Sequence, residues 1–593
     1  MNTLELFNAV KSKTGGDYVV LAQYGVIIEP SASWAQKEIV KFLHDRKING
    51  QELNATFHKS WKVIENTSRG ELLLHQLLHY MTTYGTGHTS SFVYTPDETL
   101  EVPQRLKFTV IRGLSEKELT QRAIDLLSSG VALKAETISA VIEILDAYNY
   151  KFTGEESIKN KEALMILCDR FGVAPKDPVE QVRLIVYKAT GKTLLIKNKN
   201  AYKEIAAVSD RIKTLNALLS CNAESLATVF NRFKPILLQL KKTLNNPQAD
   251  AFINRISKLS KTLHKPMSRN VLNDIGHCSM EELNEQRDNL LNANFFQLAR
   301  ALQYLRSASA STDKIYQVRN GKCFVKAGAK LNSITASAKV AFLLDIFKEK
   351  YSFTDENIYI PAGVFYALPT SEKLFVGNVP FGSKFVSKNI ALGVFWREEG
   401  GASDIDLSAT SVSGKVGWNR SYNDGEIMYS GDMTSAYPCA TEYLYAKDKL
   451  ESDQLIMCNI YRGNATGSEF NIIVGEGDNI NRDYMMSPDK VLLTAKTASI
   501  KKEGLIGLVT KDGKENAAIV FNLGFSRNAV SCSGEKANIL RNALAQRWKN
   551  CFYINDPLEY CGAKLVDSAD EATIDLSPQK LARDTIVSLF AAK

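Results

Sequence analysis

The spacing of apolar positions changes twice along the chain and divides it into parts. Over residues 1–112, short apolar runs at 18–22 and 25–28 alternate with apolar residues at helical spacing over 34–45 and 71–82, a pattern that predicts a mixed α/β segment. From 113 to 352 helical spacing takes over. It predicts helices over 116–128, 135–149, 155–171, 178–190, 223–244, 248–263, 280–291, 294–305 and 334–351. Ser115 followed by Glu118 has the form of a capping box, and Pro178 follows Asp177 at a first turn. No fixed sequence period links these helices, so the pattern implies an α-helical array without a consensus repeat. Over 353–530, runs rich in β-branched and aromatic residues (358–360, 364–368, 374–376, 390–396, 455–461, 470–474 and 518–523) alternate with Gly, Asn, Asp and Pro. This is the signature of an antiparallel β-sandwich. Helical spacing returns at 535–548 and 578–590, so 531–593 reads as an α/β tail packing on the domain before it. The whole is a multidomain α+β chain.

Composition narrows the class. The 593 residues are 45% apolar and 23% charged, values ordinary for a soluble globular protein. No stretch approaches the ~20 apolar residues of a membrane helix, and MNTLELFNAVKSK at the start lacks the apolar centre of a signal peptide. Nine dispersed cysteines without a CxxC pair fit reduced thiols, so a cytoplasmic location with no membrane partner is expected.

Charge is concentrated in one place. Between 231 and 269 nine Lys/Arg face a single acid, Asp250, a local excess equal to the net charge of +8. At about 100° per residue Lys258, Lys261 and Lys265 fall opposite the apolar stripe, with Arg255 at its border. Such a face can bind the phosphates of RNA or DNA. It can equally pair with neighbouring acids such as Glu281, Glu282 and Glu285, and no nucleic-acid-reading motif accompanies it.

Five of the seven histidines fall between 44 and 88. His75 and His79 stand four apart on one predicted helix face, a spacing that can hold zinc with His88 or His58 as a further ligand. Gln76 stands where a metalloprotease carries its glutamate base, which disfavours that chemistry. The alternative is a largely buried amphipathic helix whose histidines hydrogen-bond locally.

The β segment carries the sharper signal. In D-I-D-L-S, Asp404 and Asp406 are two apart, so a strand places both side chains on one face and sends Ile405 and Leu407 into the sandwich. Aspartate is depleted in strands, and two carboxylates roughly 7 Å apart repel. A hard cation would quench that repulsion, with Asp432, Asp424 and Glu442 available to complete an oxygen shell. The alternative is a pair at a strand end, in water, holding a turn. G-V-F-W, D-I-D-L-S-A, Y-S-G-D-M-T and A-T-E, over about 370–530, together resemble the TerD-like domain of tellurium-resistance and stress-response proteins. The resemblance implies a calcium-binding β-sandwich without catalytic activity, with Asp404 and Asp406 as the family's paired aspartates and Asp432 as its S-G-D aspartate. Where that family carries an acidic run, this chain has A-Y-P-C-A-T-E at 436–442, leaving Glu442 as the acid there.

Other enzyme signatures are absent. A-T-G-K-T at 189–193 lacks the leading glycine and the strand of a phosphate loop, and there is no G-x-S-x-G elbow or kinase set. The expectation is therefore a non-enzymatic, cytosolic, calcium-binding scaffold of a bacterial or phage stress-response type. It would dock a protein partner or assemble with itself. The alternative is a nucleic-acid-binding protein using 231–269.

Overall fold

The computed structural model describes residues 2–85, 108–197, 200–267, 269–310, 313–317, 323–327, 331–398, 403–411, 414–434, 436, 438–448, 450–462, 469–477, 484–497, 503–525 and 546–591. Helices dominate up to 350 and antiparallel strands from 364 to 525, as the spacing of apolar residues implies.

Two antiparallel sheets form the sandwich. The larger has the strand order Lys415–Gly417, Asp404–Thr410, Gln454–Arg462, Glu503–Asp512, Glu515–Phe525, Ser383–Ser387, Val364–Phe365. The smaller runs Ile427–Tyr429, Cys439–Ala446, Ile390–Arg397, Asn471–Glu476, Val491–Lys496. Leu392 and Val394 of the smaller sheet and Ile405, Leu407, Ile456 and Phe521 of the larger belong to one buried core. Ile405 and Leu407 thus sit where alternation puts them. The surprise is the other face: every residue of Asp404–Thr410 is buried, aspartates included.

The N-terminal segment supplies that cover. Its own sheet, ordered Ala9–Lys11, Thr109–Leu114, Val26–Ile28, Val19–Leu21, closes a small core around Leu4, Ile28, Ile39 and Ile111. Residues 50–85 leave this sheet and lie on the sandwich. Asn54, fully buried, accepts from Met485 N–H at 2.7 Å and Met486 N–H at 2.9 Å, and donates to Met486 O at 2.7 Å. Trp61 stacks on Tyr445 at 4.9 Å between ring centroids, and Thr441 N–H donates to Ala55 O at 2.9 Å. The expected boundary at 112 falls inside the strand Thr109–Leu114 of the small sheet.

The helical region divides as well. Helices Glu116–Ser128, Ala135–Ala147, Lys161–Phe171, Phe295–Ala310 and Ser333–Lys350 contribute to the core shared with the sandwich, whereas residues 182–256 close a core of their own. Helix Glu116–Ser128 starts at the reciprocal Ser115–Glu118 capping box, and Pro178–Thr190 starts on the Asp177 carboxylate and ends at left-handed Gly191. The helix expected over 155–171 begins only at Lys161 because Glu156 is spent on a turn: its carboxylate accepts from Tyr150 O–H, Thr153 N–H and Gly154 N–H. The single helix expected over 280–291 is two, Met280–Glu285 and Arg287–Leu291. A hairpin, Asp313–Gln317 with Cys323–Ala327, lies between the helices expected over 294–305 and 334–351, in a span expected to be almost wholly helical.

At the C-terminal end of the tail the described residues are less helical than their spacing implies. Much of 535–548 lies outside the described residues, and 578–590 holds a 3₁₀ turn, Pro578–Lys580, and a short helix, Thr585–Leu589. Lys564–Val566 and Ile574–Asp575 flank Asn357–Tyr359 in a parallel sheet, and Phe590 stacks on Phe295 at 3.9 Å. The tail therefore packs on the helical region as well as on the sandwich.

The anchorage of 50–85 has a measurable weight. Asn54→Ala takes the acceptor from two buried N–H groups and a donor from two carbonyls, Gly50 O and Met486 O, and removing buried partners costs ~1–3 kcal/mol per group. Urea unfolding should show a loss of about 3 kcal/mol, similar to that of Trp61→Ala, for which burial of a large aromatic implies ~3–5 kcal/mol.

Candidate metal centre

The site forms where the larger sheet loses an edge. Strand Asp404–Thr410 pairs with Gln454–Arg462 along its whole length, but with Lys415–Gly417 only from Ser408 to Thr410. The backbone at Leu407 is left open on that side, and its N–H donates to Glu442 Oε2 at 2.7 Å. The same oxygen accepts from Tyr429 O–H at 2.7 Å, and Oε1 accepts from Met433 N–H at 2.9 Å. Glu442 thus pins three segments to one carboxylate: strand Asp404–Thr410, strand Ile427–Tyr429 and the loop that carries Asp432.

Gly431 turns that loop. Its φ of +95° suits glycine, and a Cβ there would stand 2.7 Å from the Phe57 ring. His58 N–H donates to Ser430 O at 2.9 Å from the same side. The S-G-D glycine is therefore required twice over, by its conformation and by the approach of 57–58.

The outcome is a triad. Asp404, Asp406 and Asp432 are buried and offer carboxylate oxygens that all lie within 4.8 Å of one another. Oδ1 of Asp404 and Oδ1 of Asp432 have no hydrogen-bond partner. Asn459, directly across the ladder from Asp406, is also buried with neither amide atom partnered. Oδ2 of Asp432 accepts from the Tyr80 hydroxyl. Gln76 reads the backbone of the same residue in both directions, donating to Asp432 O at 3.0 Å and accepting from Asp432 N–H at 3.3 Å, while Tyr422 O–H donates to it at 3.0 Å.

Electrostatics follow from burial. Loss of water, then the Asp432 carboxylate, push the Asp404 carboxyl up to about 7. Burial, then Asp432 and Asp404, push Asp406 well above the usual carboxylate range. Burial raises Asp432 to about 6, against the Tyr80 hydrogen bond, which favours its ionised form. Arg462 and Lys415 oppose these shifts from more exposed positions and rank behind burial and the neighbouring acids. Glu442 is raised too, by burial first, yet its three donors make it an acceptor on both oxygens.

The expected residues separate into ligand candidates and others. Asp404, Asp406 and Asp432 converge. Glu442 stands beside them, but its oxygens are taken up. Asp424 lies exposed in a turn, where Oδ1 accepts from Glu426 N–H and Ile427 N–H, both at 2.9 Å. That is the turn-holding role expected of an aspartate in a loop.

Among the described residues the histidines do not assemble around a metal. His75 is exposed, His79 is half-buried 4.9 Å from the Phe57 ring, and His88 lies outside the described residues. Among the described residues, the aspartate triad is the group of three or more His, Cys, Asp or Glu side chains close enough to share an ion. His58 is buried with Nε2 unpartnered, and burial lowers its pKa to about 4. The polar pair that matters on this helix is Gln76 and Tyr80, one residue out of phase with His75 and His79. Two polar groups four apart among leucines were the signal available for it.

In the basic stretch, Arg255 pairs with Glu224 at 2.6 Å and Arg269 with Asp274 and Glu282. Lys258, Lys261 and Lys265 are exposed. No helix among the described residues is long and apolar enough to cross a membrane. No protein-family model, curated protein or solved structure matches the chain.

The raised carboxyls set a direction of pH dependence. In the ion-free protein the folded state keeps protons that the unfolded chain releases near pH 4. Stability is then greatest below that pH and falls as pH rises through about 6 and 7. Asp584, half-buried and raised to about 7 by loss of water, adds a background of the same sign. In chelator, Tm should fall from pH 4.5 to 7.5. The fall should be clearly shallower in Asp404→Asn plus Asp432→Asn, where Asp406, Glu442 and Asp584 remain as the raised carboxyls.

Proposed function

We propose that the chain is a non-enzymatic, cytoplasmic calcium-binding scaffold whose ion sits between Asp404, Asp406 and Asp432. The observation that carries this reading is a buried set of three carboxylates, two of them with an unpartnered oxygen, and no buried cationic side chain beside them among the described residues. Oxygen-only donors suit a hard cation, and calcium accepts irregular shells of about 6–8 oxygens at ~2.3–2.6 Å. The Asn459 amide oxygen is a further donor of the right kind on the same sheet. The TerD-like pattern of D-I-D-L-S and S-G-D supports the same ion and a role in docking a partner. Seven cysteines, Cys168, Cys221, Cys278, Cys439, Cys458, Cys551 and Cys561, are buried and unpaired, consistent with a reducing compartment.

Calcium added to chelated protein should raise Tm, because an ion that binds only the folded state contributes ~2.7 kcal/mol at a hundred times its Kd. Asp404→Asn plus Asp406→Asn should abolish the shift. A shift of equal size in that variant would place the ion elsewhere, and no shift in the natural protein would remove the reading.

A second reading rests on the exposed Lys258, Lys261 and Lys265, which join no ion pair among the described residues while Arg255 and Arg269 do. They would contact the phosphates of RNA or DNA. Binding should weaken steeply with salt, and charge reversal of the three lysines to glutamate should weaken it at least tenfold in a filter or anisotropy assay. Unchanged affinity would dismiss it.

A further inference from the structure

Helix Arg69–Gly85 is built inside out. Leu74, Leu77, Leu78 and Met81 are half or more exposed, whereas Gln76 is 3% exposed and Tyr80 turns inward one helical turn later. An amphipathic helix on a core normally does the reverse. Here the inward face, Leu72 apart, meets the sandwich through polar contacts, three of which converge on one residue, while Tyr422 O–H donates to Gln76 and Thr434 lies 3.4 Å from His79 Nε2. Gln76 holds the backbone of Asp432 by two hydrogen bonds, and the Tyr80 hydroxyl holds its Oδ2. From the opposite side Glu442 holds the next residue, Met433. Asp432 is therefore suspended between the helix and the smaller sheet, with Oδ1 left to the triad.

The geometry points to a two-part device, in which divalent-cation occupancy of the Asp404–Asp406–Asp432 cluster is coupled to the seating of helix Arg69–Gly85, with Gln76 and Tyr80 as positioning residues acting through Asp432. The inference rests on the cation reading above and adds what that ion would control. Coupling of this kind is reciprocal: contacts that strengthen cation binding are strengthened by it in equal measure. An ion that fixes Oδ1 of Asp432 immobilises the carboxylate and backbone on which the helix is seated. The same helix displays the leucine face, so its seating decides how that face is presented.

The test uses the full chain with calcium as the probe. Isothermal titration should give a Kd for Tyr80→Phe and for Gln76→Ala about tenfold weaker than that of the natural protein. Leu77→Ala, on the exposed face of the same helix, should leave Kd unchanged. Hydrogen exchange of the amides over 72–81 should slow at least tenfold when calcium is added, and should not respond to calcium in Asp404→Asn plus Asp406→Asn. A purely structural role for Tyr80 would lower Tm without making exchange in the helix calcium-dependent. If the natural protein binds no calcium, the cation reading falls. If it binds calcium but exchange over 72–81 ignores the ion, the coupling is overturned whatever the variants do, and a Kd within twofold for both Tyr80→Phe and Gln76→Ala overturns it independently.

Discussion

Three carboxylates share a small volume that water does not reach, and the architecture around them answers that constraint. An isolated buried carboxylate is strongly disfavoured unless it is protonated, paired or bound to a cation. Arg462 is exposed and Lys415 half-buried, and the effect of each on Asp404 and Asp406 ranks behind burial and the Asp432 carboxylate. Two states then remain. In one the cluster keeps protons, as the raised carboxyls of Asp404, Asp406 and Asp432 indicate. In the other a divalent ion replaces them, and ion uptake releases protons. The short edge strand Lys415–Gly417, the ladder irregularity after Asp404 and the left-handed Gly431 all serve to bring these oxygens together.

Four acids occupy this region, and hydrogen bonding decides what each can do. Glu442 is as deeply buried as the triad, yet both its oxygens receive donors from Leu407, Tyr429 and Met433. A carboxylate satisfied in this way is a strut. Asp432 receives one hydroxyl on one oxygen and nothing on the other, and Asp404 keeps an oxygen wholly unpartnered. These two are poised for a ligand. Asp424 is excluded by geometry alone, since its carboxylate closes a turn in water.

Local signals in the sequence were legible where local physics sets the structure. The Ser115–Glu118 box, Asp177-Pro178 and the period of 223–244 each define a helix whose ends the structure reproduces. The period-two run at 404–410 placed Asp404 and Asp406 on one face, and S-G-D supplied Asp432. What local pattern could not show is long-range cover. Residues 50–85 lie on a sheet more than 300 residues away in sequence, through Asn54 with Met485 and Met486 and Gln76 with Asp432. Asn160 caps a helix later than periodicity implies because Glu156 is committed to a turn. The His75–His79 pair misleads for a related reason. Helical spacing identifies which residues share a face, but not which face turns inward, and an acidic cluster selects the face with hydrogen-bond donors.

Acidic and basic chemistry are kept apart by packing as well as by distance in the chain. Residues 182–256 enclose their own core, from Val182 through Phe233 to Ile256, and the lysines at 258, 261 and 265 follow from that lobe. The triad belongs to the sandwich and to the core it shares with helices Glu116–Ser128 and Phe295–Ala310. Phosphate contact at the lysines would be a surface interaction, governed by salt and by exposure. Cation binding at the triad would be governed by desolvation and proton release. Neither needs the other's residues, so the two readings differ in physical origin and are not rival accounts of one site. The helix Arg69–Gly85 belongs with the second: its polar side faces the aspartates, and its leucines face outward because the acids hold the side that would ordinarily take them.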